Sequence, residues 1–495
     1  MFGFYFNEKG GCFPDILPPF SYINIAKFFK KSCFFKGKAP FIFNQCKFIA
    51  TCSAALQNSI TTVFDPVKLN KIARQTGFLQ RTSKLNPEEF IDTILFSDLD
   101  HHQLSLQDCC DDLAQQHQKT LSKVALHKRF NSRSLAFLKS VLAEQMAAKL
   151  GIAGENNWQP FSRVMIADSC KFALPQKFGK DYPAYSGNYA KSLMNIQYSF
   201  DIKQGNWEVL ELGKATENDL AYTKRTLERI HEGDLHIRDL GYVSHAYLIK
   251  IVKEKAFFIN RLHPLWNPVL CDTGKAINWI SLYEKIKQIG SVPFETMITI
   301  GKGEDAFNCR LVAVAVPEEV WAERIRKAQA RAKSVGYGLT DEYKHRCRFS
   351  LFITNTSEEM LKAAEIIQLY SLRWQIELVF KTWKSLLNIH KVKAVKKERL
   401  ECHLIAKFIW ILINWKVFRC VDVFIRHQLS DYACSMWKFF KQARKHSYAL
   451  RMAVSGKLQF DDWCKVFLFN IKSLLIEPKK GKKPGFAIVN DIFNP

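Results

Sequence analysis

The sequence predicts an α/β protein in which a mixed sheet, interrupted by a β-rich insertion, is flanked by helical N- and C-terminal domains. Three observations carry that expectation. Between Trp158 and Leu262, short apolar runs alternate with helical stretches. Upstream of Trp158 the signals are those of successive helix starts. From Glu398 to about Ile476 the chain is helical and rich in Trp and Phe.

Taken in order, Asn86-Pro87-Glu88-Glu89 opens a helix: Asn caps, Pro fits the first turn, and the acids meet the positive helix end. Ser105 opens LQDCCDDLAQQHQ, and Ser122 caps KVALHKRFN, which exposes Lys123, His127, Lys128 and Arg129. Two short helices followed by a basic one fit either a helix-turn-helix DNA reader or a plain helical bundle. RVMIADS then reads as a strand ending in an acid, and SLMNIQYSFDI and NWEVLELG as strands joined by the turn Lys203-Gln204-Gly205-Asn206. ENDLAYTKRTLERIHE is helical, LHIRDLGYV a strand running into a turn, YLIKIVKEK helical and AFFINRL a fifth strand. Such an order describes an α/β layer with a mixed sheet. PFETMITIG, CRLVAVAV and RFSLFIT give the β-rich insertion its strands, with the basic run AERIRKAQARAK among them. One long helical region, from Ser357 to Leu387, follows.

Residues 1–60 read differently. They hold about a dozen of the 39 Phe in an aperiodic mix with Lys, Pro and Gly, and only Glu8 and Asp15 are acidic. Two readings stand: a segment outside the working fold, translated upstream of a start near Thr61, or a basic arm that meets DNA. The expected partition is 1–60 unassigned, 61–155 helical and DNA-binding, 156–262 the first part of a catalytic core, 263–350 the insertion, 351–397 the second part of the core, 398–477 helical and dimerising, and 478–495 a basic tail.

Lys and Arg total 72 against 47 Asp and Glu, a net charge of +25 that calls for a polyanionic partner. Nucleic acid is the leading one, because neutralising phosphates releases counterions. The 14 cysteines form no CxxC pair, and adjacent Cys109 and Cys110 cannot staple a fold in ordinary geometry. Reduced thiols imply a cytoplasmic protein, and a DNA partner would make it nucleoid-associated. Phe408–Trp415, the most lipid-like stretch, lies between two lysines and is far short of the ~20 residues a bilayer requires.

The segment YSLRWQIELVFKTWK, from Tyr370 to Lys384, carries the most chemistry. On a helical wheel Tyr370, Arg373, Glu377, Lys381 and Lys384 share an arc of roughly 80°, opposite Leu372, Ile376, Val379, Phe380, Trp383 and Leu387. One carboxylate among cations suits a metal beside a phosphate. It also suits a solvated face held by a Glu377–Lys381 pair. Asp168 ends the first strand and Asp239 the fourth, where ligands gather in open α/β sheets. Joined by Glu377, they would make an oxygen site for Mg²⁺, although each Asp alone also suits a cap or turn.

Tyr370-x2-Arg373-x3-Glu377-x6-Lys384 resembles the signature of the insertion sequence four family of bacterial transposases. Asp239-Leu-Gly-Tyr242 resembles that family's second-Asp motif and Ile166-Ala-Asp168-Ser169 its first, with Cys170 where Thr is frequent. The resemblance covers about residues 62–470. It implies a ribonuclease-H-like fold and cut-and-paste DNA transposition with an Asp-Asp-Glu triad: Asp168, Asp239 and Glu377 as catalytic residues holding two Mg²⁺ ions, with Mn²⁺ as a substitute. The steps implied are hydrolytic nicking, a hairpin intermediate and strand transfer. Tyr370, Arg373, Lys381 and Lys384 would be DNA-binding, near a flipped nucleotide for which Phe349 is the stacking candidate, with Trp266 and Trp279 as alternatives. The partners implied are double-stranded DNA (terminal inverted repeats and target) and a second copy in a synaptic homodimer, with no membrane. The alternatives are a metal-dependent nuclease of the same fold that does not join strands, and an inactive DNA-binding relic.

Overall fold

A computed structural model of the chain describes residues 56–60, 63–97, 105–148, 150, 160–185, 190–289, 293–428, 432–468 and 471–476. Met1–Ala50 is one of two units and, like residues 51–55 and the tail from 477 onward, lies outside the described residues, as do the expectations for it and for the tail; residues 56–60, read with the first segment, are helical, with Leu56, Ser59 and Ile60 buried. Everything below concerns the second unit, Thr51–Pro495.

The first helices are α1 (Pro66–Gln75), α2 (Pro87–Phe96), α3 (Leu106–His117), α4 (Lys123–Arg129) and α5 (Ser132–Ala147). The starts of α2, α3 and α4 are the expected ones. The Asn86 N–H donates to Glu89 Oε2 at 2.9 Å, and Ser105 Oγ accepts the Asp108 N–H at 3.1 Å. Ser122 Oγ accepts the Ala125 N–H at 3.2 Å. Each cap satisfies donors that a helix end leaves orphaned.

Next come β1 (Arg163–Ala173), β2 (Leu193–Asp201), β3 (Asn206–Lys214), α6 (Asp219–Arg225), β4 (Asp234–Arg238), α7 (His245–Lys253) and β5 (Phe257–Arg261). The 263–350 stretch holds β6 (Val269–Leu270), α8 (Trp279–Ile289), β7 (Phe294–Ile300), β8 (Phe307–Ala315), α9 (Glu318–Val335) and α10 (Asp341–Arg346), and β9 (Phe349–Thr354) closes it. All nine strands join one mixed sheet in the order β3-β2-β1-β4-β5-β9-β8-β7-β6. β1 runs parallel to β4 and antiparallel to β2, and β4 runs parallel to β5. The expected insertion therefore extends the main sheet, and it is more helical than its strands suggested. Its basic run is the body of α9, where Glu323 pairs with Arg326 and Lys327 at 2.7 and 3.2 Å and alanines favour helix.

The region read as one helix is two, α11 (Ala363–Ser371) and α12 (Gln375–Ser385), joined by a 3₁₀ turn at Leu372–Trp374. The 32-residue α13 (Lys397–Gln428) follows, then β10 (Ala433–Cys434), α14 (Met436–Lys445), α15 (Ser447–Val454), α16 (Phe460–Leu468) and β11 (Leu475–Ile476). Phe408, Trp410 and Ile413 of α13 are fully buried, and the helix packs on α2 and α5. Among the described residues no helix is long and apolar enough to cross a membrane, and Cys109 and Cys110 are buried.

Candidate active site

Asp168 sits inside β1, not at its end. The strand continues to Ala173 because its pairing with β2 does. What stops at this level is the parallel ladder with β4, whose last partners are Ala167 and Arg238. Asp239 follows at once, where the chain enters the 3₁₀ turn Leu240–Tyr242. The two aspartates therefore leave adjacent parallel strands side by side.

A packed aromatic group brings the third acid to them. Tyr198, opposite Asp168 on β2, meets the rings of Trp383 and Phe380 on α12 at 5.1 and 6.1 Å. Trp383 also meets the ring of Phe408 at 5.1 Å, so α12 lies fixed across β1 at the level of Asp168. Glu377, one turn into that helix, faces the aspartates.

Arg373 joins the three. Its Nη1 donates to Asp168 Oδ2 at 3.1 Å, while Nη2 stands 3.5 Å from Glu377 Oε1 and 3.9 Å from Asp239 Oδ1. Among the described residues no ion pair joins Glu377 to Lys381; Glu377 turns back to Arg373 instead. The Arg373 side chain is 9% exposed, while those of Asp239 and Glu377 are about half exposed at 48% and 42%. Burial pushes the Asp168 carboxyl up to about 6, against the pull of the Ser169 N–H and of Arg373, and Asp239 and Asp219 add to the rise. Three carboxylates share a single guanidinium, which leaves local negative charge in excess.

This donor set suits a hard divalent cation: three carboxylates from three elements, two of them open to solvent, already gathered on one positive centre. In the present arrangement no three acids among the described residues are close enough to hold an ion together. Arg373, within 4 Å of an oxygen of each, is the group that would have to yield.

The remaining predicted residues fall into two sets. Lys384 is at the site, its Nζ bonded to the Lys171 carbonyl of β1 at 2.9 Å. Lys381 is exposed on α12. Tyr370 is buried beside Arg373, its ring 5.2 Å from that of Phe352, because the 3₁₀ turn rotates it off the exposed face that a continuous helix would have given it. Phe349 is not brought to the acids. It lies 3% exposed in the insertion core, between Trp279 and Tyr283. Trp279 is equally buried, and Trp266 packs on His245 and His263. The aromatic that does stand open beside the triad was missed: Trp374, 59% exposed, its ring 5.6 Å from the Arg373 guanidinium. Leu378, one turn on, is 50% exposed. The visible signal was a Trp inside the signature itself, next to its arginine.

Comparison with known proteins bears on the same region. A family model described as a transposase DDE domain matches residues 159–413, from the entry to β1 into α13. The transposase for insertion sequence element IS1151 of Clostridium perfringens is 28% identical over 454 residues, covering 88% of this chain and 95% of that protein. The transposase for insertion sequence element IS231D of Bacillus thuringiensis subsp. finitimus is 27% identical over 415 residues, covering 80% of this chain and 86% of its own length. That for IS231F of Bacillus thuringiensis subsp. israelensis is 28% identical over 420 residues, covering 81% and 86%. The matched segment contains all three gathered acids and more than half of the residues of the chain: it belongs to the family of DDE-domain transposases.

Proposed function

We propose that this transposase moves an insertion sequence by cut-and-paste, and that Asp168, Asp239 and Glu377 are its catalytic triad. The observation that carries the reading is the convergence of these acids, from β1, the end of β4 and α12, on one guanidinium. The triad would hold two Mg²⁺ ions, or Mn²⁺ in their place, which when bound would activate a water or 3′-hydroxyl and stabilise the leaving oxygen.

The chain's own residues supply position and charge. Arg373, released from the acids, has a planar fork suited to a phosphate. Lys384, tied to the β1 backbone, adds a second cation beside the scissile strand, and Lys381 a third on the exposed face. Tyr370 backs Arg373. Trp374 is better placed than Phe349 to meet an unstacked base, since stacking needs an open ring face. Nicking, a hairpin made by the freed 3′-hydroxyl and strand transfer would follow at this one site.

The finer assignments belong to the same proposal. They are membership of the insertion sequence four family, a ribonuclease-H-like core over 156–262 and 351–397, DNA reading by 61–155, and dimerisation through 398–477 on paired ends. A pre-nicked duplex carrying an end of the chain's own element, offered with target DNA and Mg²⁺, tests the reading. Joined product is expected. Cleavage without joining would make the enzyme a nuclease, and neither product would make it a relic.

A further inference from the structure

The face of β1 opposite α12 carries a buried hydrogen-bond chain that the reaction chemistry has not used. Side chains alternate along a strand. Asp168 and its partner Tyr198 point toward α12, so Ser169 and its partner Gln197 point the other way. β4 has already ended there, and the turn after Asp239 fills the space. Tyr242, the last residue of that turn, donates its hydroxyl to Gln197 Oε1 at 2.8 Å. Gln197 Nε2 donates in turn to Asp219 Oδ1, at the start of α6, at 3.1 Å. Gln197 is 3% exposed and Tyr242 is 1% exposed. The amide has one workable orientation: an ionised Asp219 only accepts, so it must receive the NH₂, and the carbonyl must face the phenol. The loop closes on itself, since a Cβ on Gly241 would stand 3.4 Å from Asp219 Oδ2.

We infer that Gln197 is a positioning residue: with Tyr242 and Asp219 it fixes the turn bearing Asp239 against β2, whose ladder with β1 holds Asp168. β1 and β4 share no ladder beyond Ala167–Arg238, so the backbone alone does not hold the two aspartates in register at the site. The inference rests on the triad reading. A strap on the far face lets the acids be held in place without a side chain entering the space that cations and phosphates need. Supporting groups of this kind around a metal site are worth about 10–100-fold in affinity or activity.

The test uses the full chain with Tyr242→Phe, Asp219→Ala, Gln197→Ala and the Gln197→Ala/Tyr242→Phe double variant. Mn²⁺ binding is followed by electron paramagnetic resonance, and nicking is measured on an element-end duplex. Each single variant is expected to weaken Mn²⁺ binding and lower kcat by about 10–100-fold with KM for DNA unchanged, and the double variant to be no worse than its worse parent. Tyr242→Phe keeps shape and volume, so it decides the matter if Gln197→Ala fails to fold. Wild-type Mn²⁺ affinity and kcat in Tyr242→Phe, or additive losses in the double variant, would overturn the inference. A wild-type protein that neither binds Mn²⁺ nor nicks would instead overturn the triad reading beneath it.

Discussion

Arg373 and Arg451 each collect carboxylates from distant parts of the chain, and they do it in opposite ways. Arg451, on α15, sends Nε and Nη2 to Asp92 Oδ2 at 2.9 and 2.6 Å, and Nη1 and Nη2 to the two Asp112 oxygens at 2.7 and 2.6 Å. His117 Nε2 lies 2.7 Å from the same Asp92 oxygen. Burial alone would raise the Asp92 carboxyl, yet the bonds from His117 and Arg451 hold it below its ordinary value. From Arg373 a single hydrogen bond reaches an acid, two further acids stand off, and Asp168 is pushed up to about 6. A filled fork makes a clamp, here tying α2 and α3 to α15. A loose one leaves acids under-compensated, as a site must be if it is to exchange one cation for another.

The largest expected effect tests the functional half of this contrast. Asp168→Asn removes a charge and keeps the shape. Nicking of an element-end duplex should fall by more than about three orders of magnitude, as for a member of a set that acts as a unit. DNA retention in a gel-shift assay should persist. Normal cleavage by this variant would end the triad assignment, and with it the meaning given to the loose cluster.

The structural half predicts the next effect. Arg451→Ala strands the buried Asp92 and the partly buried Asp112, which should cost about 3–5 kcal/mol of unfolding free energy, with nicking by the folded fraction little changed. Because Asp92 is lowered from 3.8, the clamp's contribution is present above that pH and is lost as pH falls through the folded value. Denaturant unfolding of wild type and variant between pH 7 and pH 3 should show the difference shrinking on the acid side. A constant difference would mean that the clamp stabilises by packing alone.

Lys416 supplies an intermediate case, a buried cation with no acid within reach among the described residues. It is 4% exposed and donates to Ser59 Oγ and Gln145 Oε1 at 2.8 and 3.0 Å. Burial pulls it down from 10.5 to about 8. Between those values the unfolded chain binds the proton more tightly than the folded one, so stability rises with pH, by on the order of 3 kcal/mol in all. Lys416→Met should flatten that rise and leave the protein more stable at pH 7. A pH profile that keeps its slope in the variant would assign the rise to another group.

Both ends of the functional cluster were legible in the sequence, and the clamp was not. The Tyr370-to-Lys384 spacing and an acid near the end of each of two strands pointed to Glu377, Asp168 and Asp239 without any knowledge of contacts. Arg451 lies 359 residues from Asp92 and 339 from Asp112, and none of the three belongs to a local pattern. The wheel that placed Tyr370 outside assumed an unbroken helix. The 3₁₀ turn at Leu372–Trp374 changes the rotation and Tyr370 is buried, while Trp374, which the same wheel sets beside Lys381 at the edge of the polar arc, stands open. Phe349 was proposed from its place in the chain, which carries no information about which face of β9 meets the insertion core.

The smallest effect discriminates best between the two arginines. Arg373→Ala also removes a cation shared by several acids, so counting acids alone would rank it at least level with Arg451→Ala. The geometry argues otherwise. Two of its acids are about half exposed and water screens them, and the third already sits above its ordinary pKa. The stability loss at pH 7 should therefore be on the order of 1 kcal/mol, and a divalent cation should more than repay it, because ligands that bind only the folded state stabilise it. Thermal unfolding with and without Mn²⁺ reads this directly: the midpoint of Arg373→Ala should rise further with Mn²⁺ than that of wild type, where the guanidinium competes for the same oxygens. Arg451→Ala offers the control, since only two acids are stranded there, Asp92 buried and Asp112 mostly so, and its Mn²⁺ response should match wild type. An Arg373→Ala protein that loses as much stability as Arg451→Ala and gains nothing from Mn²⁺ would make Arg373 a second clamp, and loose geometry would then no longer mark exchangeable charge.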